Sequence, residues 1–181
     1  EYLSRRGGAE AWKRCGAMGD LACFSFYANK LVTTGEGGMV VTDDDGLAAR
    51  LRSLRNLCFQ PGKRFIHEEF GHNWRMTNIQ AALGLAQAER IDEIVDRKRG
   101  AAAAYTERLK TIPGVQTPIE RDWARSVYWM YGIVLDETTG HDAESFATEM
   151  RAKGVDTRPF FCGMHAQPVL QRMGLFAGEA Y

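Results

Sequence analysis

The chain has 181 residues, of which 45% are hydrophobic and 25% charged, the composition of an ordinary globular protein. Basic and acidic residues number 23 each, so no excess charge favours binding to nucleic acid or to an anionic membrane. The four cysteines are scattered without a C-x-x-C pair, which favours a reducing, cytoplasmic location. Since no apolar run reaches the roughly 20 residues of a membrane span, we expect neither nucleic acid nor membrane as a partner.

The first third of the chain predicts an α/β layer. Residues 1–20 are rich in glycine and arginine and give little periodic signal. The apolar run 21–27 predicts a buried strand, and residues 38–42 predict a second strand after the glycine-rich turn 35–38. Aspartates at 43–45 then offer N-caps for a helix whose leucines recur at helical spacing.

A long loop and a long helical stretch follow. Residues 56–76 show no regular pattern, and loops of this length in compact domains are often functional. Thr77 and Gln80 have the spacing of a capping box at the start of a helix. Helix-forming residues continue from there to about Lys110, with a bend or break expected at Gly100.

The composition changes near residue 115, where we expect a second and smaller α/β unit to begin. Residues 127–135 are rich in aromatic and β-branched side chains, which predicts a strand. Residues 142–153 have the pattern of a helix that Gly154 ends. Residues 155–161 are predicted to form another strand.

The residues with the clearest chemical meaning lie where the first strand ends. Ser25 is followed five residues later by Lys30, and the glycine-rich turn 35–38 comes next. A lysine at the edge of a buried layer loses hydration, which favours the neutral amine that imine formation with an aldehyde requires. A serine hydroxyl can hold a phosphate oxygen, and glycines let a ligand approach the backbone closely. These residues alone are equally compatible with a lysine of no catalytic role beside a glycine turn.

Two other groups of residues have structural interpretations. His67 and His72 are five residues apart, whereas a metalloprotease helix needs histidines at i and i+4, so no metal is expected. Trp74, Trp129 and Tyr131 are interpreted as packing residues rather than as platforms for a ligand.

Several separate blocks of the chain repeat, in order, the motifs of one enzyme family. They are Ser25-Phe-x-x-x-Lys30 with Gly-Glu-Gly-Gly after it, Gly71-His-Asn-Trp-Arg75-Met-Thr-Asn-Ile-Gln80, Tyr128-Trp-Met130, and Thr157-Arg-Pro159. With these blocks the chain resembles the DegT/DnrJ/EryC1/StrS family of sugar aminotransferases, whose cofactor is pyridoxal 5'-phosphate (PLP). The residues of these blocks are most similar to those of the perosamine-synthase-like members.

The resemblance implies roles for five residues. Lys30 would form the Schiff base with PLP and move the proton during catalysis, and Ser25 would donate a hydrogen bond to the PLP phosphate. Asn73 resembles the asparagine that reaches across a dimer interface to the cofactor phosphate, and Arg75 would shape this shared site on the substrate side. His165 stands where the family has a histidine near the sugar-nucleotide pocket, although the two residues before it depart from the family pattern.

The implied reaction transfers an amino group from an amino acid, usually glutamate in this family, to a nucleotide-linked 4-keto-6-deoxy sugar. The implied assembly is a homodimer with shared active sites. One alternative is a related PLP-dependent sugar dehydratase, but those members carry histidine in place of the lysine, so Lys30 argues against it. The other alternative is a non-catalytic, truncated remnant of such an enzyme.

The resemblance also implies an α/β fold of the aspartate-aminotransferase type (PLP-dependent transferase fold type I). Residues 1–112 would be the C-terminal part of the PLP-binding large domain with the connecting helix, and residues 113–181 the start of the small domain. The family's aspartate for the pyridine nitrogen lies in a Glu-Asp-Ala-Ala-like block upstream of the lysine, and this sequence has no such block. We therefore expect a fragment that is inactive alone.

Overall fold

The computed structural model describes residues 1–4, 10–63 and 65–179 of the chain. Its strands are β1 (Tyr2–Ser4), β2 (Ala11–Lys13), β3 (Ala22–Ser25), β4 (Gly38–Val41), β5 (Val115–Gln116) and β6 (Val134–Leu135). Its helices are α1 (Asp45–Arg55), α2 (Asn78–Ala88), α3 (Ile91–Leu109), α4 (Ala143–Ala152) and α5 (Pro168–Arg172), with short 3-10 turns at Glu137–Thr139 and Met164–Ala166. None of the helices within these ranges is both long enough and apolar enough to cross a membrane.

The chain divides into two compact units. One unit consists of residues 1–105 and 119–131, and the other of residues 106–118 and 132–181. Helix α3 contributes residues to both units. The domain boundary that we predict at residue 112 stays a prediction.

The β3–β4 hairpin positions the residues of interest in the first unit. The two strands pair antiparallel, from Ala22 opposite Val41 to Ser25 opposite Gly38, so both predicted strands are present. The first is not buried as predicted, because in the described residues it belongs to a sheet of two strands whose side chains are mostly exposed. Residues 26–37, called the Lys30 loop below, connect them.

Helix α1 is confirmed where the aspartates predict it. The side chain of Asp44 caps the helix by accepting a hydrogen bond of 2.7 Å from Leu47 N. The predicted capping box of α2 is also present, because Thr77 and Gln80 each bond the other's backbone N–H.

The predicted break at Gly100 is wrong. Gly100 lies inside α3, and the helical stretch is interrupted instead between Ala88 and Ile91. A single glycine costs a helix only about 1 kcal/mol, which the hydrogen bonds on either side offset. The acidic residues Asp92 and Glu93 favour a new N-terminus at this point, where the helix dipole attracts negative charge.

The prediction of a strand at residues 127–135 is mostly wrong. Of residues 127–135, only Val134–Leu135 forms a strand, paired antiparallel with Val115–Gln116. The backbone before it is turned away from an extended path, since Tyr128 has a positive φ of 46°. Ser126, two residues before Tyr128, donates its N–H to the Glu120 side chain rather than to another strand. Aromatic and β-branched composition is therefore overridden by tertiary contacts.

The strand predicted at residues 155–161 is absent, and its first residue instead takes part in ending the preceding helix. Helix α4 is confirmed, and Gly154 ends it with φ at 80°. Gly154 N donates to Arg151 O and Val155 N donates to Met150 O. This is a Schellman motif, so Val155 serves the helix end rather than a sheet.

The opening of the chain contains a hairpin that the sequence does not reveal. Strands β1 and β2 pair antiparallel, with Leu3 opposite Trp12, and residues 5–9 between them lie outside the described part. Leu3 N also donates to Trp123 O at 2.8 Å. Strands of three residues are too short to give a periodic signal.

The described residues form a small core. Among them, the buried hydrophobic residues are Cys58 and Ala102, whereas Phe24 on β3 and Met39 on β4 are 43% and 51% exposed. Few buried side chains of the described residues therefore hold the hairpin.

Candidate active site around Lys30

Lys30 lies on a turn that begins where β3 ends. Its backbone N–H donates to Tyr27 O at 3.0 Å, and Tyr27 N donates to Ser25 Oγ at 3.3 Å. A hydroxyl that accepts such a bond can still donate its own hydrogen to an anion. Ser25, at the end of β3, and Lys30, on the turn that follows, are thus both linked to Tyr27.

The Lys30 side chain lies against an aromatic ring from a distant part of the chain. Lys30 Nζ is 3.4 Å from the centre of the Trp129 ring, a geometry in which the ring face attracts an ammonium group. Trp129 Nε1 also donates to Asn29 O at 2.8 Å. The sequence interpretation of Trp129 as a packing residue missed this contact, and only its place in the Tyr-Trp-Met block singled it out.

Hydrogen bonds close the Lys30 loop at its base. Phe26 O accepts from both Thr34 N and Thr33 Oγ1 at 3.0 Å. Phe26 N donates to Gly37 O at 2.9 Å, and Thr34 Oγ1 donates to Glu36 O at 2.7 Å. These bonds fix both ends of the loop and leave Lys30 at its far side.

Helix α2 packs on the same loop. A Cβ atom at Gly84 would lie 2.9 Å from Thr34 Cγ2, so the helix and the loop approach as closely as a glycine permits. The Gln87 side chain accepts from Thr33 N at 3.1 Å and donates to Thr33 O at 2.7 Å. Gln87 thus bonds both backbone polar groups of Thr33 and holds the loop against the helix in a fixed register.

Asn73 is held by the end of helix α1. Asn56 and Asn73 form an isolated antiparallel bridge, and Trp74 N donates to Arg55 O at 3.2 Å. The rings of His72 and Trp74 on either side of Asn73 stack 3.9 Å apart and nearly parallel. The backbone at Asn73 is therefore fixed although the side chain is exposed.

Arg75 orients the Asn73 side chain. Arg75 Nε donates to Asn73 Oδ1 at 3.0 Å, which directs the amide oxygen towards the guanidinium. The amide NH₂ then points elsewhere as a hydrogen-bond donor, the group that a phosphate oxygen requires. The structure thus brings Asn73 and Arg75 together, as one predicted pair.

Contacts at Gly37 and Glu36 join this pair to the Lys30 loop. A Cβ atom at Gly37 would lie 3.1 Å from Met76 Cε, and Gln80 Nε2 donates to Glu36 O at 3.0 Å. The segment that carries Asn73 and Arg75 and the loop that carries Lys30 therefore pack on each other. Sequence reasoning missed Gln80 in this role because it is also half of the capping box.

His165 belongs to the second compact unit, on the 3-10 turn Met164–Ala166. Its backbone carbonyl accepts from Gln171 Nε2 at 3.1 Å. A Cβ at Gly163 would collide with the His165 ring, the nearest atom being 2.5 Å away, so the departure from the family pattern at 163 has a local steric reason. The predicted role of His165 near the sugar-nucleotide pocket stays a prediction.

The two histidines of the long loop have other partners. His67 Nδ1 lies 2.7 Å from Leu57 O, within hydrogen-bond distance, and the His72 ring stacks on Trp74. Within the described residues, no three histidine, cysteine, aspartate or glutamate side chains come together as a metal site would require.

An ion pair holds the segment that carries Trp129. Residues 119–131, called the strap below, return to the first unit and are fastened to α3 by Arg99, whose Nη1 and Nη2 lie 2.7 and 3.0 Å from the two Glu120 oxygens. Glu120 Oε1 also accepts from Ser126 N at 2.7 Å. The hydrogen bond from Arg99 lowers the pKa of Glu120 despite the opposing effect of burial.

The glycines of the turn before β4 provide a matched pair of stability predictions. Gly35 and Gly37 both have positive φ angles, 78° and 153°. A Cβ at Gly35 meets open space, whereas a Cβ at Gly37 would lie 2.5 Å from Thr34 Oγ1. We expect Gly35→Ala to lower the free energy of unfolding by about 1 kcal/mol through backbone strain and Gly37→Ala by about 2–4 kcal/mol through strain plus overpacking. Urea unfolding of the two variants measures both, and equal losses would contradict the packing described here.

The Arg99–Glu120 pair predicts a pH dependence of stability. Because the pKa of Glu120 is lowered in the folded state, its stabilisation is present above the unfolded pKa and is lost as pH falls through the folded value. We expect Glu120→Gln to cost about 1 kcal/mol at neutral pH and nothing in acid below the folded pKa. Urea midpoints across pH measure the difference, and Glu107→Gln, which breaks an exposed pair with Lys110, is the control without effect. A Glu120→Gln cost that persisted unchanged into acid would show that the ion pair is not its source.

Comparison with known proteins places this geometry in a family. Residues 4–178 match the DegT/DnrJ/EryC1/StrS aminotransferase family. GDP-perosamine synthase of Caulobacter vibrioides is 41% identical over 157 residues, which cover 86% of this chain and 42% of that protein. A putative pyridoxal phosphate-dependent aminotransferase of Bacillus subtilis, EpsN, is 32% identical over 167 residues, 92% of this chain and 42% of that protein.

Solved structures agree with the family match. The structure of DesI with its TDP-sugar product superposes with a TM-score of 0.75 at 38% identity, over 84% of this chain and 39% of that chain. The aspartate-aminotransferase-like fold predicted from the sequence is thereby confirmed, and the chain spans less than half the length of the relatives it matches. On the match of residues 4–178, this chain belongs to the DegT/DnrJ/EryC1/StrS aminotransferase family.

Proposed function

We propose that the protein containing this chain is a PLP-dependent aminotransferase that acts on a nucleotide-linked 4-keto-6-deoxy sugar. The observation that carries the proposal is Lys30 on the turn that follows β3, with Ser25 at the end of that strand and hydrogen-bonded to Tyr27 of the turn. Both residues stand in a chain of the DegT/DnrJ/EryC1/StrS aminotransferase family. The names of the relatives, which include a GDP-perosamine synthase, support the substrate class.

The residues of the Lys30 turn fit the proposed cofactor. Lys30 Nζ is the amine that would bond the aldehyde carbon of PLP, and the Ser25 hydroxyl can donate to the phosphate. Asn73, with its amide oxygen held by Arg75, would supply a second donor to the phosphate of a partner subunit in a homodimer. When bound, PLP supplies the electron sink that stabilises the carbanion at the amino-bearing carbon.

Lys30 would have a second role as the base once an amino substrate has displaced it. Its side-chain nitrogen would accept the proton from the amino-bearing carbon of the donor and donate it at the neighbouring position. Water would then release the keto acid, and the same proton transfers in reverse would deliver the amino group to the keto carbon of the sugar.

The other predicted residues act on the substrate side. Arg75 uses Nε to hold Asn73, so its terminal N–H groups are the donors that would meet an anionic group of the substrate. His165 would contact the nucleotide sugar. Glutamate is the proposed amino donor, and the cytoplasm, where nucleotide sugars and amino acids occur together, is the proposed location.

Incubation of the whole gene product with PLP, glutamate and a nucleotide-linked 4-keto-6-deoxy sugar tests the proposal. We expect 2-oxoglutarate and the amino sugar to appear in equal amounts, as measured by mass spectrometry. A keto-sugar product that has lost one hydroxyl group and carries no added amino group would favour the dehydratase alternative. The absence of any product from a folded protein with a range of donors and keto-sugars would favour the non-catalytic remnant.

A further inference from the structure

We propose that Trp129 is a positioning residue for Lys30, which holds the ammonium group of the lysine in the cofactor-free protein. The inference rests on the proposed function of Lys30 and adds a residue to that site. It starts from the contact itself, in which Lys30 Nζ lies 3.4 Å from the centre of the indole ring.

Trp129 contacts the Lys30 turn at two points. The ring face meets the side-chain ammonium of Lys30, and the indole N–H donates to the carbonyl of Asn29, the preceding residue. One side chain thus fixes both the backbone before the lysine and the end of the lysine side chain. Both Lys30 and Trp129 are half-buried, and an ammonium on a ring face is held more strongly there than in open solvent.

The strap that carries Trp129 is held in a strained conformation next to it. Tyr128 has φ at 46°, a left-handed conformation that is unfavourable for a residue with a Cβ. Such strain persists where surrounding contacts over-determine it. Here those contacts are the bonds of Arg99 and Ser126 to Glu120, and the bond from Tyr128 N to Ser126 Oγ at 3.1 Å.

The contact has a direct consequence for the reactivity of Lys30. The ring attracts the ammonium form, which is not nucleophilic, and it cannot hold the same nitrogen once that nitrogen is bonded to an aldehyde carbon. Trp129 therefore competes with the formation of the bond between Lys30 and the aldehyde. It also gives the lysine of the cofactor-free protein a defined position. Removal of the ring frees the side chain and makes its amine more reactive.

Competitive acetylation of the cofactor-free chain tests this inference. The reagent is acetic N-hydroxysuccinimide ester in light and heavy forms, and mass spectrometry of peptides compares Lys30 with Lys110 and Lys153 as internal references. We expect Trp129→Leu to raise the Lys30 rate about 3- to 10-fold, the range that a lost ammonium–ring contact allows. Trp129→Phe, which keeps a ring face and loses only the N–H donor, is expected to stay nearer the wild type. An unchanged Lys30 rate in Trp129→Leu would overturn the proposal.

A second measurement needs no change at Trp129, in case its replacement disturbs folding. In lysine-labelled wild-type protein, ring current shifts the Lys30 εCH₂ protons upfield, and this NMR signal is absent in Lys30→Met. If no upfield lysine signal disappears in Lys30→Met, the contact does not exist in solution and the inference is wrong. Neither readout involves PLP, so failure of the proposed function, seen as no amino transfer, is distinguishable from failure of the Trp129 contact.

Discussion

Replacement of Lys30 with alanine is expected to abolish amino transfer in the gene product that contains this chain, with a loss of about 10³-fold or more. The variant loses both the nitrogen that bonds the cofactor and the base that moves the proton. Noncovalent binding of PLP through Ser25 and Asn73 is expected to remain, so the protein still takes up cofactor but borohydride no longer fixes it. Steady-state transfer and cofactor retention after dialysis measure the two effects separately.

Lys63→Ala is the matched control, because Lys63 is an exposed lysine of the same unit. Its transfer rate is expected to equal the wild-type rate. If Lys30→Ala kept a substantial fraction of the activity while the fold was intact, Lys30 would not be the lysine that carries the chemistry.

Exchange of Asn73 for aspartate is expected to weaken PLP binding about 10- to 100-fold, because an amide donor to the phosphate is replaced by a carboxylate. The proposed homodimer adds a sharper expectation, since Asn73 would serve the site of the other subunit. A dimer of one Lys30→Ala subunit and one Asn73→Asp subunit then holds one intact site, with wild-type Lys30 and Asn73 together.

Mixed dimers therefore distinguish the two arrangements. A 1:1 mixture of the two variants is unfolded and refolded, or expressed together, and assayed at a PLP concentration that leaves the Asn73→Asp sites empty. It is expected to regain about a quarter of the wild-type sites, since half of the dimers in a symmetric assembly are mixed and each has one intact site. Cofactor titration and the transfer rate measure the recovery. No recovery with confirmed mixed dimers would place Asn73 in the site of its own subunit, contrary to the proposal.

Local signals of the sequence predict the elements around the site. The β3 and β4 strands, the Asp44-capped helix and the capping box at Thr77 each depend on a few consecutive residues, and all are present. The same holds for the helix that Gly154 ends. Ser25 and Lys30 lie close together in the chain around the end of β3. Their positions could be predicted because β3 and the glycine-rich turn 35–38 are both specified by local residues.

The remainder depends on contacts between distant residues. Most of the strand predicted at residues 127–135 does not form: Tyr128 has a positive φ of 46°, and just before it Ser126 N bonds a glutamate side chain six residues away. No local pattern predicts such contacts. Asn29 and Trp129, which bond each other, are 100 residues apart in the sequence. Trp129 and Lys30 were each visible in family motifs of the sequence, but the contact between them was not.

Borohydride reduction of the whole gene product loaded with PLP, followed by peptide mass spectrometry, tests the identity of the cofactor lysine most directly. The account predicts a stable cofactor adduct on the peptide that contains Lys30, and no adduct on that peptide in Lys30→Ala. An adduct on a different lysine, or none at all in the folded wild-type protein, would contradict it.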